Sequence, residues 1–304
     1  LNVIKPDIRL RIKEVNTLMK KLLYPVLAGL MALSLVLVGC SSGETSKGRV
    51  DLVYVNWADA EAETYVAATV LEDIGYDVEK IMVDAGVMWA SVANGDADAF
   101  TTASLPFTHE AYLEQYGDQV DRVGPIYHGS RIGLAVPSYV TIDSCEELAD
   151  HADEFGRRIV GIDPGSGIMR HTEEDAMPAY GIEDWELVTG SDASMMAELD
   201  RAIQNEEWIV ITGWDPHWMF VAYDIKYLED PALAYGGEQT LEVIARKGLR
   251  EEMPEVVEFL ENMHFTSDQL NEIIYMINVE NIPPEEAARQ WVDENQDVVN
   301  TWIP

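Results

Sequence analysis

Cysteine is nearly absent from this chain. Two occur in 304 residues, Cys40 and Cys145, so no disulfide scaffold holds the fold. Basic side chains are scarce too: 20 Lys and Arg stand against 55 Asp and Glu, a formal net charge of -35. Phosphate recognition needs clustered Lys and Arg, so a nucleic-acid partner is not expected. GxSxG, HExxH and CxxC motifs are missing, which removes common hydrolase, zinc-protease and redox signatures. There is no internal repeat and no low-complexity tract. Apolar residues, by contrast, make up 47% of the chain. That is enough for a large core, and the length is comfortable for two compact parts.

The charge is unevenly spread. Residues 1–39 hold six basic and two acidic side chains; the rest carries 14 basic and 53 acidic ones, a net of -39. Lys20 and Lys21 precede the apolar run 22–38, which ends in Leu37-Val38-Gly39-Cys40. A charged start, a short apolar region and small residues before a cleavage point form an export signal. Residues 37–40 resemble a bacterial lipobox, which makes Cys40 the expected lipidation site. The expected organisation is an over-extended start over 1–18, a lipoprotein signal peptide over 19–39 and a polar tether over 40–49. Lipidation of Cys40 would leave Cys145 alone, read as an inert, semi-buried thiol.

Beyond the tether the chain alternates. Strands are expected at 50–57, 78–83, 97–102, 133–140, 158–162, 185–189 and 208–212. Helices are expected at 61–75, 87–94, 107–116, 145–155, 168–180 and 195–205, then at 255–262, 267–278 and 284–295. This rhythm predicts an α/β fold with a largely parallel sheet. Segments 133–140 and 236–249 read as crossings between two lobes, one made of 50–138 plus 239–304 and the other of 139–238. The hinges are expected near 136–139 and 242–245, with a ligand cleft between the lobes.

The residues with chemical potential are aromatic. Among eight tryptophans, Trp57 and Trp214 end strands in opposite halves, and ligands in open α/β sheets sit at strand carboxyl ends. Indole faces attract quaternary ammonium groups. Trp185, Trp208, Trp291 and Trp302 read as core. The turn Asp163-Pro164-Gly165-Ser166-Gly167-Ile168 joins a strand to a helix and offers backbone N–H groups to an anion. It lacks the Lys-Ser/Thr pair of a P-loop.

Five segments together carry a resemblance: YVNWADAE (54–61), MWASVANGDADAF (88–100), LPFTHEAY (105–112), VGIDPGSGIM (160–169) and ITGWDPHWMF (211–220). The chain resembles the substrate-binding proteins of ABC importers for glycine betaine and proline betaine, over almost all of the mature part. The resemblance implies a two-lobed periplasmic-binding-protein (type II) fold. It implies Trp57 and Trp214 as walls of a cage for the methylated ammonium. It implies Gly167 and Ile168 as backbone donors to the carboxylate, with His109 assisting. The implied partners are a small zwitterionic ligand, an ABC permease with its ATPase, and a membrane reached through the lipid anchor. The location is extracytoplasmic. No enzyme activity, cofactor or metal is expected, and the protein is expected to be a monomer.

One position departs from the pattern. Relatives usually carry Trp before Leu-Pro in the third segment, and here it is Ser104. Either Trp89 or Tyr65 replaces the missing indole, or the ligand is a bulkier or different compound such as carnitine, choline or a sulfonium osmolyte. A betaine-acting enzyme is a further alternative, against which stands the lack of a nucleophile–base pair. Asp96 and Asp98 mimic a metal pair but read as structural, and His217 reads as a donor behind the site or as core.

Overall fold

The computed structural model describes residues 46–304. The over-extended start, the signal peptide, Cys40 and the first part of the tether lie outside the described residues. Nine strands are joined by pairing among the described residues: β1 (Arg49–Tyr54), β2 (Asp77–Met82), β3 (Ala99–Leu105), β4 (Val120–Pro137), β5 (Arg158–Val160), β6 (Glu186–Val188), β7 (Ile211–Asp215), β8 (Ile225–Tyr227) and β9 (Gln239–Arg246). Their order is β2-β1-β3-β9-β4-β7-β5-β6, with β8 also on β4. β4 belongs to two sheets. Residues from Val120 to Ser130 pair with β9, and Arg131 to Ala135 pair with β7.

The pairing is mixed rather than largely parallel. β1 runs parallel to β2 and β3, and β5 runs parallel to β6 and β7. β9 is antiparallel to β3 and β4, and β4 is antiparallel to β7 and β8. The residues expected as hinges, near 136 and 242, lie inside the sheets. Val136 pairs with Lys226 inside the second sheet, and Glu242 pairs with Ala103 inside the first. The chain changes sheets between Ser130 and Arg131, just after a register shift that contains Gly129 at φ +95°. A bulge bends and twists its strand, and a left-handed φ suits glycine.

Local chemistry explains the helices around this frame. Helix Ala85–Asn94 stops at Gly95, whose left-handed backbone (φ 78°) closes the last turn. Helix Ser267–Asn278 starts at Thr266, which forms a reciprocal capping box with Gln269. The helix expected over 168–180 is broken into Gly167–His171, a π turn at Thr172–Ala176 and a final turn at Met177–Ala179. Pro178 has no N–H to give to the preceding turn, which accounts for the break. The segment at Cys145–His151 is a 3-10 helix.

Helices Ala58–Asp73, Pro254–Asn262, Ser267–Asn278 and Pro284–Glu294 share one apolar cluster with the first sheet, in which Trp291 and Trp302 are buried. A second cluster joins helix Ala85–Asn94 to the second sheet and to the residues between the sheets.

Candidate functional site

Trp57 follows β1 and is the N-cap residue of helix Ala58–Asp73 (φ -107°, ψ 149°). Its indole therefore leaves the carboxyl end of the first sheet. Trp214 lies in β7 of the second sheet. Both are buried, and both indole N–H groups end on carboxylates from the other sheet's side. Trp57 Nε1 donates to Asp163 Oδ1 at 2.8 Å, and Trp214 Nε1 donates to Asp59 Oδ1 at 3.0 Å. Asp59 Oδ2 also accepts Thr102 Oγ1 at 3.3 Å. Burial raises the pKa of both Asp59 and Asp163.

His109 caps helix Glu110–Tyr116 and stacks on Trp57 at 6.0 Å between ring centres. Its Nδ1 accepts the backbone N–H of Ser104 at 3.1 Å, so in the neutral ring the proton sits on Nε2. Burial, with His171 and Arg170 adding repulsion, pushes its pKa down to about 3. The ring is thus neutral at physiological pH. Nε2 is buried and has no partner within the protein.

Opposite it, Gly167 and Ile168 open a helical turn behind Ser166. First-turn N–H groups have no intrahelical acceptor. Gly167 must be glycine here: a Cβ would lie 2.0 Å from the carbonyl oxygen of Thr108. Further contacts cross the cleft. Tyr112 Oη donates to the carbonyl of Gly165 at 2.7 Å, and the Phe107 ring stacks on His171 at 4.0 Å. The two sides are closed on each other.

Trp57, Ser104, His109, Gly167, Ile168 and Trp214 line this one cleft, together with Asp59, and no Lys or Arg lines it. Trp89 does not. It is fully buried, stacked on Tyr112 at 5.8 Å and edge-on to Phe100 and His109. It supports the imidazole from behind and cannot replace the missing indole. Tyr65 also lies away, packed edge-on against Tyr54.

Sequence reasoning missed Asp59 and Asp163. Asp59 follows Trp57 by two residues and reads as a first-turn acid; Asp163 reads as a turn residue. Of the remaining candidates, Asp98 binds Arg246 Nε at 2.7 Å and the Asp51 N–H at 2.8 Å, a structural role. His217 hydrogen-bonds Asp192 and meets the Trp214 ring edge-on at 4.4 Å, so it braces that indole. Cys145 is buried, which pushes its thiol up to about 12. Among the described residues no group of three His, Cys, Asp or Glu is placed to hold a metal ion.

The sequence profile of the substrate-binding domain of ABC-type glycine betaine transport systems matches residues 48–294. The chain belongs to that family. A curated relative is the glycine betaine/carnitine transport binding protein GbuC of Listeria monocytogenes. It is 39% identical over 164 residues, which cover 53% of this chain and 54% of the relative. The chain thus spans about half the length of that relative. Lactococcal OpuAC, solved closed around glycine betaine, is 38% identical, covers 85% of this chain and 100% of its own, and superimposes with a TM-score of 0.80. The glycine betaine/L-proline-binding protein ProX of Borrelia burgdorferi is 33% identical, over 84% of this chain and 97% of its own, with a TM-score of 0.82. The fold is the two-lobed type II periplasmic-binding-protein fold.

Proposed function

We propose that this protein captures glycine betaine or a related quaternary-ammonium zwitterion outside the cytoplasm and delivers it to an ABC permease and its ATPase for osmoprotection. One observation carries the reading: a single cleft brings indole faces together with unpartnered N–H donors. The two indoles are held by the carboxylates of Asp59, which is buried, and Asp163, which is half-buried. Beside Trp57 stands the unpartnered Nε2–H of a neutral His109, and the turn that carries Asp163 adds the first-turn N–H groups of Gly167 and Ile168. A methylated ammonium fits the indole faces and a carboxylate the N–H donors. A desolvated cation–indole contact contributes about 2 kcal/mol or more. Micromolar affinity needs about -8 kcal/mol, within reach of two such contacts and a carboxylate clamp.

The lobes, expected as residues 50–138 plus 239–304 and residues 139–238, divide at Ser130–Arg131 instead of at 138, because residues 131–137 pair within the second sheet. They close by a hinge movement. The protein is a receptor rather than an enzyme. His109, the imidazole of the cleft, has Nδ1 committed to the Ser104 N–H, and Ser104 Oγ makes no hydrogen bond to it. It is anchored as a monomer through a lipid on Cys40 after removal of residues 19–39. No helix among the described residues is long and apolar enough to cross a membrane.

Calorimetric titration with glycine betaine tests the binding reading. Saturable heat and a raised melting temperature are expected, whereas no response to glycine betaine, carnitine or choline would remove it. Fatty-acid labelling of cells tests the anchor: label on the wild type and none on Cys40→Ala is the expected pattern.

A further inference from the structure

The strand β3 presents two hydroxyl side chains to the cleft, Thr102 and Ser104. They lie two residues apart, roughly 7 Å along the strand. Thr102 is committed: its Oγ1 donates to Asp59, the carboxylate that holds Trp214. It marks the ammonium end. Ser104 marks the other end, because its N–H donates to His109 Nδ1. Its Oγ is buried and has no partner in the protein, and the same is true of His109 Nε2. Buried hydroxyls are almost always paired. In a binding cleft, an unpaired hydroxyl next to an unpaired imidazole N–H points to ligand atoms that complete both.

His109 Nε2–H serves the ligand's carboxylate. The Ser104 hydroxyl, on β3 between Thr102 and the strand's end, is open to a further polar group of the ligand. Resting on the proposed binding of a quaternary-ammonium zwitterion, we infer that Ser104 determines specificity, and that the preferred ligand carries a hydroxyl group on the chain joining its two charged ends. Glycine betaine has a single methylene there and no hydroxyl to pair with Ser104 Oγ. An indole at this position would close the space; serine leaves it open and lines it with a donor and acceptor. A site built to hydrogen-bond a ligand hydroxyl discriminates against the analogue that lacks it, because the protein group is then left buried and unpaired.

The test compares three probes on the full protein by calorimetry: carnitine, its deoxy analogue γ-butyrobetaine, and glycine betaine. Carnitine is expected to bind on the order of tenfold more tightly than γ-butyrobetaine. Ser104→Ala should bring those two affinities to within about twofold of each other. The mirror-image forms of carnitine should differ in the wild type, since a fixed hydroxyl partner reads one configuration. Equal binding of carnitine and γ-butyrobetaine by the wild type overturns the inference whether or not the variant folds. An undiminished ratio in Ser104→Ala overturns it as well. Absence of binding by all three probes instead overturns the parent reading.

Discussion

Trp57 and Asp163 are 106 positions apart in the chain, and they meet across the cleft through a 2.8 Å hydrogen bond from the indole N–H to the carboxylate. The partner pair, Trp214 and Asp59, repeats the arrangement in the opposite direction. Each half therefore supplies one indole and one carboxylate. The ring faces are left for a ligand while the ring edges hold the two halves together. Binding and closure thus depend on the same two side chains.

This separates two losses experimentally. Trp57→Phe keeps an aromatic face but removes the N–H; a hydrogen bond to a charged group contributes about 1.5–3 kcal/mol, so affinity should fall by roughly ten- to a hundredfold. Trp57→Ala removes both face and latch and should abolish measurable binding, as should Trp214→Ala. Titration of the three variants gives the order; equal affinities for Trp57→Phe and the wild type would show that the latch adds nothing.

Gly167→Ala should disfavour the closed form. The added methyl meets the Thr108 carbonyl from the opposite side of the cleft, and such overpacking costs roughly 1–3 kcal/mol. Small-angle scattering should show a variant that stays expanded at ligand concentrations that compact the wild type.

His109 gives a pH signature of known sign. Burial holds its folded pKa near 3, below its ordinary value of 6.5. Between these values the unfolded chain takes up a proton that the folded chain refuses. This contribution to stability is therefore intact above about pH 6.5 and is lost as pH falls, at about 1.4 kcal/mol per pH unit. Comparing denaturant unfolding of the wild type and His109→Asn between pH 4 and 7 isolates the term: the wild type should have the steeper decline.

Glu63 predicts the opposite sign. It is fully buried on helix Ala58–Asp73, one turn after Asp59, with neither carboxylate oxygen partnered. Burial and the Asp59 charge raise its pKa well above 4.5. Above that pH the unfolded chain releases a proton that the folded chain keeps, so stability falls as pH rises toward the folded pKa. Glu63→Gln should fold and should lack this slope. Parallel stability curves for the two proteins from pH 5 to 7 would contradict the assignment.

Much of this architecture is legible in the sequence where the signal is local. The helix over 267–278 is announced by Thr266 and Gln269, its capping box, and by a regular apolar stripe. The motifs also single out the six residues that the fold brings to one cleft. Long-range features are not legible. The first half of β4 is interrupted by Gly124, Pro125 and Gly129, and only pairing with β9, more than a hundred residues downstream, makes it a strand. Asp59 and Asp163 look like ordinary helix-start and turn acids until the fold sets each against an indole from the other side. Trp89 misleads for the converse reason: it sits in a distinctive motif, yet the aromatic packing of Phe100 and Tyr112 draws it into the core.

The described chain enters the molecule at one particular place. Lys47 is fastened by its N–H to the carbonyl of Gly75 and by its ammonium to Glu255, and Gly48 accepts the N–H of Asp77 beside β2. All of these belong to the first-sheet half. A membrane tether running through residue 46 would make that half, with Trp57, Ser104 and His109, the stationary jaw. The Trp214 half would then be the swinging jaw, and its position would report to the permease whether the cargo is on board.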